Sequence, residues 1–184
     1  TLLTDAVRRR LIADVPLGAF LSGGLDSSIV VGVMSRLLRQ PVRTFSIGFE
    51  DPHFDETRYA RLAARQFGTH HTEFVVKPSA VELIERLVWH HDGPFADSSA
   101  IPTYLLSRLT REHVTVALNG DGGDELFAGY LRFYAAVVAE RFPHGVREAL
   151  GRAFAGLPDW GGHRSLLARL RKFAGSASLP FAER

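Results

Sequence analysis

Two short stretches concentrate the residue types that hold anions and hard cations. The first is "SGGLDSS", Ser22 to Ser28, which follows the apolar run "LGAFL". The second is "NGDGGDE", Asn119 to Glu125, which follows "VTVAL". Each sends an apolar run into adjacent glycines and then into carboxylates at the start of a helix-period segment. Backbone N–H groups and a helix N-terminus converge in such a turn, glycine permits close approach, and an anion is favoured there. The hydroxyls of Ser22, Ser27 and Ser28 add donors. Asp26 beside a bare phosphate would be unfavourable, so its presence points to a divalent cation bridging carboxylate and phosphate oxygens, with magnesium the natural choice.

The familiar phosphate loops fail on spacing. A Walker loop needs Gly-Lys followed by Ser or Thr, and the chain contains no Gly-Lys pair. A dinucleotide fingerprint needs a third glycine where Glu125 follows Gly120 and Gly122, and a nucleophile elbow around Ser22 needs glycine where Phe20 stands. Structural readings also remain open: Asp26 as a helix N-cap, and the second cluster as a surface turn with a favourably charged helix start.

The elements that must position these turns follow from periodicity. Strands are expected at 17–21, 43–49, 71–76 and 113–118. Helices are expected where Val30, Val33, Met34 and Leu37 share a face, likewise Ala60, Ala63, Ala64 and Phe67, and Ile84, Leu87, Val88 and His91. Another is expected near Pro102, with Leu105, Leu106 and Leu109 facing inward. This alternation implies an α/β fold, a parallel sheet with helices on both faces. Strand C-terminal ends would then share one edge, where such folds bind ligands. The division expected is a nucleotide-binding core over 1–130 and a helical continuation over 131–184.

Composition narrows the class further. The chain has 184 residues, 46% hydrophobic and 23% charged, which suits a globular domain. It has no cysteine, which excludes disulfides, thiolate metal sites and a cysteine nucleophile within these residues. No apolar run has the length of a membrane span and the start "TLLTDAVRRR" is no signal peptide, so no membrane partner is expected and the location is read as cytoplasmic. The net charge of +2 conceals an acidic excess up to about residue 130 and a basic excess beyond. No aromatic-basic interleaving accompanies that tail, so no nucleic acid is expected. The pairs His70–His71 and His90–His91 are read as structural, because strand neighbours point to opposite faces and carboxylates suffice for magnesium.

"SGGLDSS" resembles the pyrophosphate loop of the ATP pyrophosphatase (PP-loop) superfamily, whose fold is adenine nucleotide alpha hydrolase-like. With "GDGGDELFAGY", "FSIGFEDPHFDETRYARLAARQFGTHH" and "GPFADSSAIPTYLLSR", the likeness narrows to the asparagine synthetase (glutamine-hydrolysing) family, over most of residues 5–135. The resemblance implies a ligase that uses ATP and Mg²⁺ to adenylate a carboxylate, with aspartate the default, and transfers ammonia to it, releasing AMP and pyrophosphate. Leu21 and Ile47 match positions that contact adenine and ribose, and Asn119 with Gly120 matches a pair that touches the nucleotide. Ser22, Gly23, Gly24, Ser27 and Ser28 match the phosphate donors. Asp26 and Asp124 match the aspartates that bind magnesium pyrophosphate, and Asp121 an acidic residue near the acyl-adenylate, which makes Asp121 and Asp124 the catalytic candidates. Asn119 stands where the family commonly has serine or threonine, and Asp121 where it commonly has glutamate.

"PFADSSAIP" offers Asp97, Ser98 and Ser99 for acceptor recognition, or else an ordinary N-cap at Ser99. The family's glutaminase domain begins with a cysteine that this chain lacks, so ammonia is expected from a domain absent here, a partner or solution; a homodimer is left open. Its downstream Arg-Val-Pro-type motif with a catalytic lysine is also missing, since the lysines are Lys77 and Lys172. The chain is accordingly expected to be part of a longer synthetase. Two alternatives stand beside this: an NAD or GMP synthetase-type ATP pyrophosphatase, and a non-catalytic ATP-binding fragment.

Overall fold

The computed structural model describes residues 1–49, 57–76, 80–97, 99–155 and 166–179. The chain divides into two units, Thr1–Asp121 and Gly122–Arg184. In the first, the apolar runs form β1 (Leu17–Phe20), β2 (Arg43–Phe49), β3 (His70–Val76) and β4 (Val116–Leu118). They make one parallel sheet of order β3-β2-β1-β4. Around it lie α1 (Leu2–Arg10), α2 (Leu25–Leu37), α3 (Thr57–Phe67), α4 (Ala80–His90) and α5 (Ala100–Thr110).

The register shows why continuous apolar runs suit these strands. Ala19 pairs with Thr44 and Thr44 with His71, so these three side chains share one face. On that face Ala19 and Leu21 pack with Val7 of α1, Val31 and Met34 of α2 and Ala64 of α3. On the other, Ile47 and Val76 pack with Leu83 and Leu87 of α4 and Ala100 and Leu105 of α5. Both faces are buried, which is the condition under which parallel sheets persist. Each large side chain removed from water, such as Met34 or Phe45, contributes about 1.5–3 kcal/mol.

One helix expectation needs correction, and another holds. The buried stripe of α4 is Leu83 and Leu87, whereas Ile84 is 53% and Val88 39% exposed. His91 lies beyond the helix end, its ring stacked on Phe95 at 4.0 Å. Helix α5 starts at Ala100, two residues before Pro102, with Leu105 buried and Leu106 and Leu109 half-buried. Helix α1, which periodicity alone did not suggest, anchors through Val7.

The first face also holds a buried polar cluster. Thr44 Oγ1 lies 2.8 Å from Thr69 Oγ1 and 3.0 Å from His71 Nδ1, and Ser46 Oγ lies 3.2 Å from His71 Nε2. Thr44 and Ser46 are buried, and the hydroxyls satisfy both ring nitrogens of a neutral imidazole. Burial, the largest influence, holds the His71 pKa below 6.5; Arg61 acts in the same direction and Glu73 against it. Around pH 6.5 the unfolded chain therefore takes up a proton that the folded chain resists. Stability from this group is full above that value and declines as pH falls through it. Urea unfolding of the wild type and His71→Gln across this window tests it: the variant is expected to lose the slope, and equal slopes would remove His71 as its source.

The second unit is helical among its described residues: α6 (Gly123–Phe127), α7 (Leu131–Glu140), α8 (His144–Ala155) and α9 (Leu166–Ala177). Small residues let α8 and α9 approach closely: a Cβ on Gly151 would stand 3.4 Å from the Ala174 carbonyl oxygen of α9 and 2.8 Å from Cβ of Ser178 just beyond it.

Candidate nucleotide site

The chain leaves β1 with one more ladder bond, Leu21 N–H to Phe45 O at 2.8 Å. That bond turns the Leu21 side chain into the first core, where it is 1% exposed. Helix α2 then opens at Leu25 with Gly24 as its N-cap, extended at φ −65° and ψ 164°, and without a side-chain cap. Asp26 is therefore not the cap but the second residue inside the helix. The capping carbonyl is that of Gly24, which accepts the Ser28 N–H at 3.1 Å. The main-chain N–H groups of Leu25, Asp26 and Ser27 precede the helical bonding pattern and have no carbonyl in their own helix.

Gly23 is required here by its neighbours. Its φ of +83° is in the left-handed region, and an added Cβ would collide with the Tyr59 and Ala60 backbone at the start of α3. The serines are partly committed within the loop: Gly24 N–H donates to Ser22 Oγ at 3.2 Å, and Ser27 Oγ donates to Gly24 O at 3.3 Å. Ser22 and Ser27 hydroxyls lie 3.1 Å apart. Ser28 is half-buried without a side-chain bond of its own among the described residues.

The strand order brings a second loop to this turn. β1 lies between β2, reached through α2, and β4, reached only after β3, α4 and α5. Chain direction across the sheet thus reverses between β1 and β4, the position at which parallel α/β sheets open a crevice beyond their C-terminal ends. Asn119, Gly120 and Asp121 leave β4 there. A Cβ on Gly120 would stand 2.8 Å from Ser27 N and 3.0 Å from the Asp26 carbonyl carbon, so the two loops touch main chain to main chain. Asn119 and Asp121 are exposed and hydrogen-bonded to each other.

Asp124 belongs to the second unit, in the first turn of α6. Its main-chain carbonyl accepts the Gly129 N–H at 2.9 Å, and its carboxylate occupies the space a Cβ on Gly129 would need. Glu125 accepts the Tyr130 hydroxyl at 2.8 Å, which lowers the Glu125 pKa and raises that of Tyr130. The support given to Gly23 by Tyr59 and to Asp124 by Gly129 was missed by sequence reasoning. For the second, the glycine in "DELFAG" was the available signal.

The remaining candidates are distributed more widely. Ile47 is half-buried on the sheet face opposite Leu21. Asp97 Oδ1 accepts the Ser99 N–H at 2.8 Å, a bond that holds the Asp97 carboxyl below its ordinary pKa and starts α5. Ser99 is the N-cap but makes no side-chain capping bond, and Ser98 lies outside the described residues, as does 50–56 of the family-like segment. His70 is exposed, and the His90 ring lies 5.0 Å from Trp89 and 5.8 Å from Tyr104. Among the described residues no three His, Asp or Glu side chains are grouped to hold a metal by themselves. None of the described helices is long and apolar enough to cross a membrane.

Known proteins are similar to this chain in sequence. The chain is 51% identical over 132 residues to a Methanocaldococcus jannaschii protein named as asparagine synthetase (glutamine-hydrolyzing) 2, covering 71% of this chain and 25% of that one. It is 39% identical over 170 residues to asparagine synthetase (glutamine-hydrolyzing) 1 of Bacillus subtilis, covering 90% and 27%. A solved NH3-dependent NAD synthetase from Campylobacter jejuni superposes with a TM-score of 0.47 at 14% identity, over 70% of this chain and 58% of that one. The chain spans about a quarter of the length of the two asparagine synthetases. The model of the family described as asparagine synthase matches residues 1–182, through both glycine turns and the helical unit beyond them, and the chain belongs to that family.

Proposed function

We propose that this chain is the ATP-binding part of a synthetase that activates a carboxylate, with aspartate the favoured acceptor, for transfer to ammonia. The observation that carries the reading is the contact of Gly120 with Asp26 and Ser27, which joins a helix start without a side-chain cap to the end of β4 at the switch point. The acceptor carboxylate attacks the α-phosphorus, the bond to the β-phosphate oxygen breaks, and pyrophosphate departs. Ammonia then displaces AMP from the acyl carbon.

The chain's own contribution is placement and charge compensation. The N–H groups of Leu25, Asp26 and Ser27 meet the phosphate oxygens on which charge grows as pyrophosphate leaves. Leu21, its side chain enclosed in the core, offers the nucleotide main-chain atoms only, and Ile47 offers a half-buried edge. Asp26 and Asp124 are half-buried carboxylates without an ion pair among the described residues, and such oxygens suit magnesium. Asp26 would offer the ion a carboxylate oxygen beside the phosphates, and Asp124, which belongs to the second unit, is a ligand by the resemblance alone. Magnesium, when bound, withdraws charge from the leaving pyrophosphate.

Calorimetry of ATP binding with and without magnesium tests this reading. The chain is expected to bind ATP, and Asp26→Ala to lower affinity about tenfold in magnesium while changing it little without the metal. Equal affinities for the two proteins in magnesium would remove Asp26 from the metal site. Aspartate-dependent exchange of labelled pyrophosphate into ATP is expected to be weak or absent, because neither Lys77 nor Lys172 lies in the family's lysine motif. Exchange dependent on deamido-NAD instead would replace the aspartate reading with the NAD synthetase one.

A further inference from the structure

Asn119 and Asp121 close a small arch at the end of β4. Asn119 uses both halves of its amide: Oδ1 accepts the Asp121 main-chain N–H at 3.3 Å, and Nδ2 donates to Asp121 Oδ2 at 2.7 Å. The second bond is the shorter and ends on a charged acceptor, so it is the stronger. Between the two residues, Gly120 presses on the Asp26–Ser27 backbone, so the arch has no room to slide toward α2. Among the described residues Asp121 has no cationic partner, and Asn119 is the one side chain bonded to its carboxylate.

We propose that Asn119 is a positioning residue, whose side-chain N–H group fixes the Asp121 carboxylate through Oδ2 at the C-terminal edge of β4 and leaves Asp121 Oδ1 to meet the acceptor substrate. No other residue type of this size does both jobs. A serine hydroxyl is too short to span turn and carboxylate together, and an aspartate would place a second negative charge against the first. The pair therefore behaves as one unit: the Asn119 side chain acts through Asp121, and contact with the nucleotide at this position is left to the main chain, which Asn119→Asp does not alter. What meets Oδ1 rests on the synthetase reading above; the positioning itself does not.

The test separates the two. Asn119→Asp keeps the shape and the acceptor for the Asp121 N–H but reverses the contact with the carboxylate; Asp121→Asn keeps the shape and removes the charge. In nitrogen-15 spectra of the full chain, the Asn119 side-chain amide resonances are expected to move in Asp121→Asn while those of residues remote from the arch stay in place. Unmoved amide resonances would overturn the positioning. L-aspartate is then titrated into the chain saturated with an ATP analogue that resists cleavage between α- and β-phosphates. Asn119→Asp is expected to weaken L-aspartate about tenfold, to leave the analogue's affinity within about twofold, and to add little to Asp121→Asn. Additive losses, or an equal loss of nucleotide affinity, would overturn the proposal. A moved amide resonance without any response to L-aspartate would uphold the positioning and sink the acceptor assignment.

Discussion

Gly23→Ala is expected to destabilise the first unit by about 3 kcal/mol or more, enough to leave a marginal domain largely unfolded. Two separate costs combine. At φ +83° any side chain is strained, and the new methyl group would be driven into the Tyr59–Ala60 backbone, which has no rotamer by which to yield. Relief requires α3 to move, and Ala60 and Ala64 of that helix are buried in the core. Chemical denaturation of both proteins measures the loss. A cost below about 1 kcal/mol would show that α3 gives way easily and that Gly23 is kept for the nucleotide alone.

Gly120→Ala tests the opposite balance, a small effect on folding and a large one on binding. Its Cβ would stand 2.8 Å from Ser27 N, against one of the N–H groups assigned to phosphate. The 119–121 loop is largely exposed and can retreat, so the fold is expected to lose less than about 1 kcal/mol. Retreat separates the two loops, and ATP affinity is expected to fall by between about tenfold and a hundredfold. Calorimetry with a thermal melt as control decides it. Affinity within about twofold of wild type would mean that the contact between the loops is incidental to nucleotide binding.

Sequence reading succeeded where one physical influence dominates. β2 is found at 43–49 as expected, because "RTFSIGF" is β-rich and bounded by a proline on one side and acidic residues on the other. The α/β class follows for the same reason, since buried parallel strands and amphipathic helices leave unlike periods. Helix α4 shows the limit: Leu83 and Leu87 form one apolar stripe, Ile84 and Val88 an adjoining one, and α5 decides which is buried. That choice is tertiary and leaves no trace in periodicity. The start of α2 is another case. Asp26 is a good capping residue by type, yet the turn conformation of Gly23 places Gly24 at the cap. The glycine turns themselves were legible, whereas the neighbours that make them obligatory, Tyr59 beneath Gly23 and Ser27 against Gly120, come from elsewhere in the chain.

The strand order also sets when this crevice can exist during folding. β1 can pair with β2 as soon as α2 has formed, but its other edge stays open until β3, α4 and α5 have been traversed and β4 docks. Closing so long a loop is entropically slow. An intermediate holding β1 to β3 would possess the glycine turn and the buried core beneath it yet lack its opposite wall. On the proposed reading, competence to hold a triphosphate therefore waits for β4 to dock, and a variant that slows that docking is expected to delay ligand recognition without changing the finished protein.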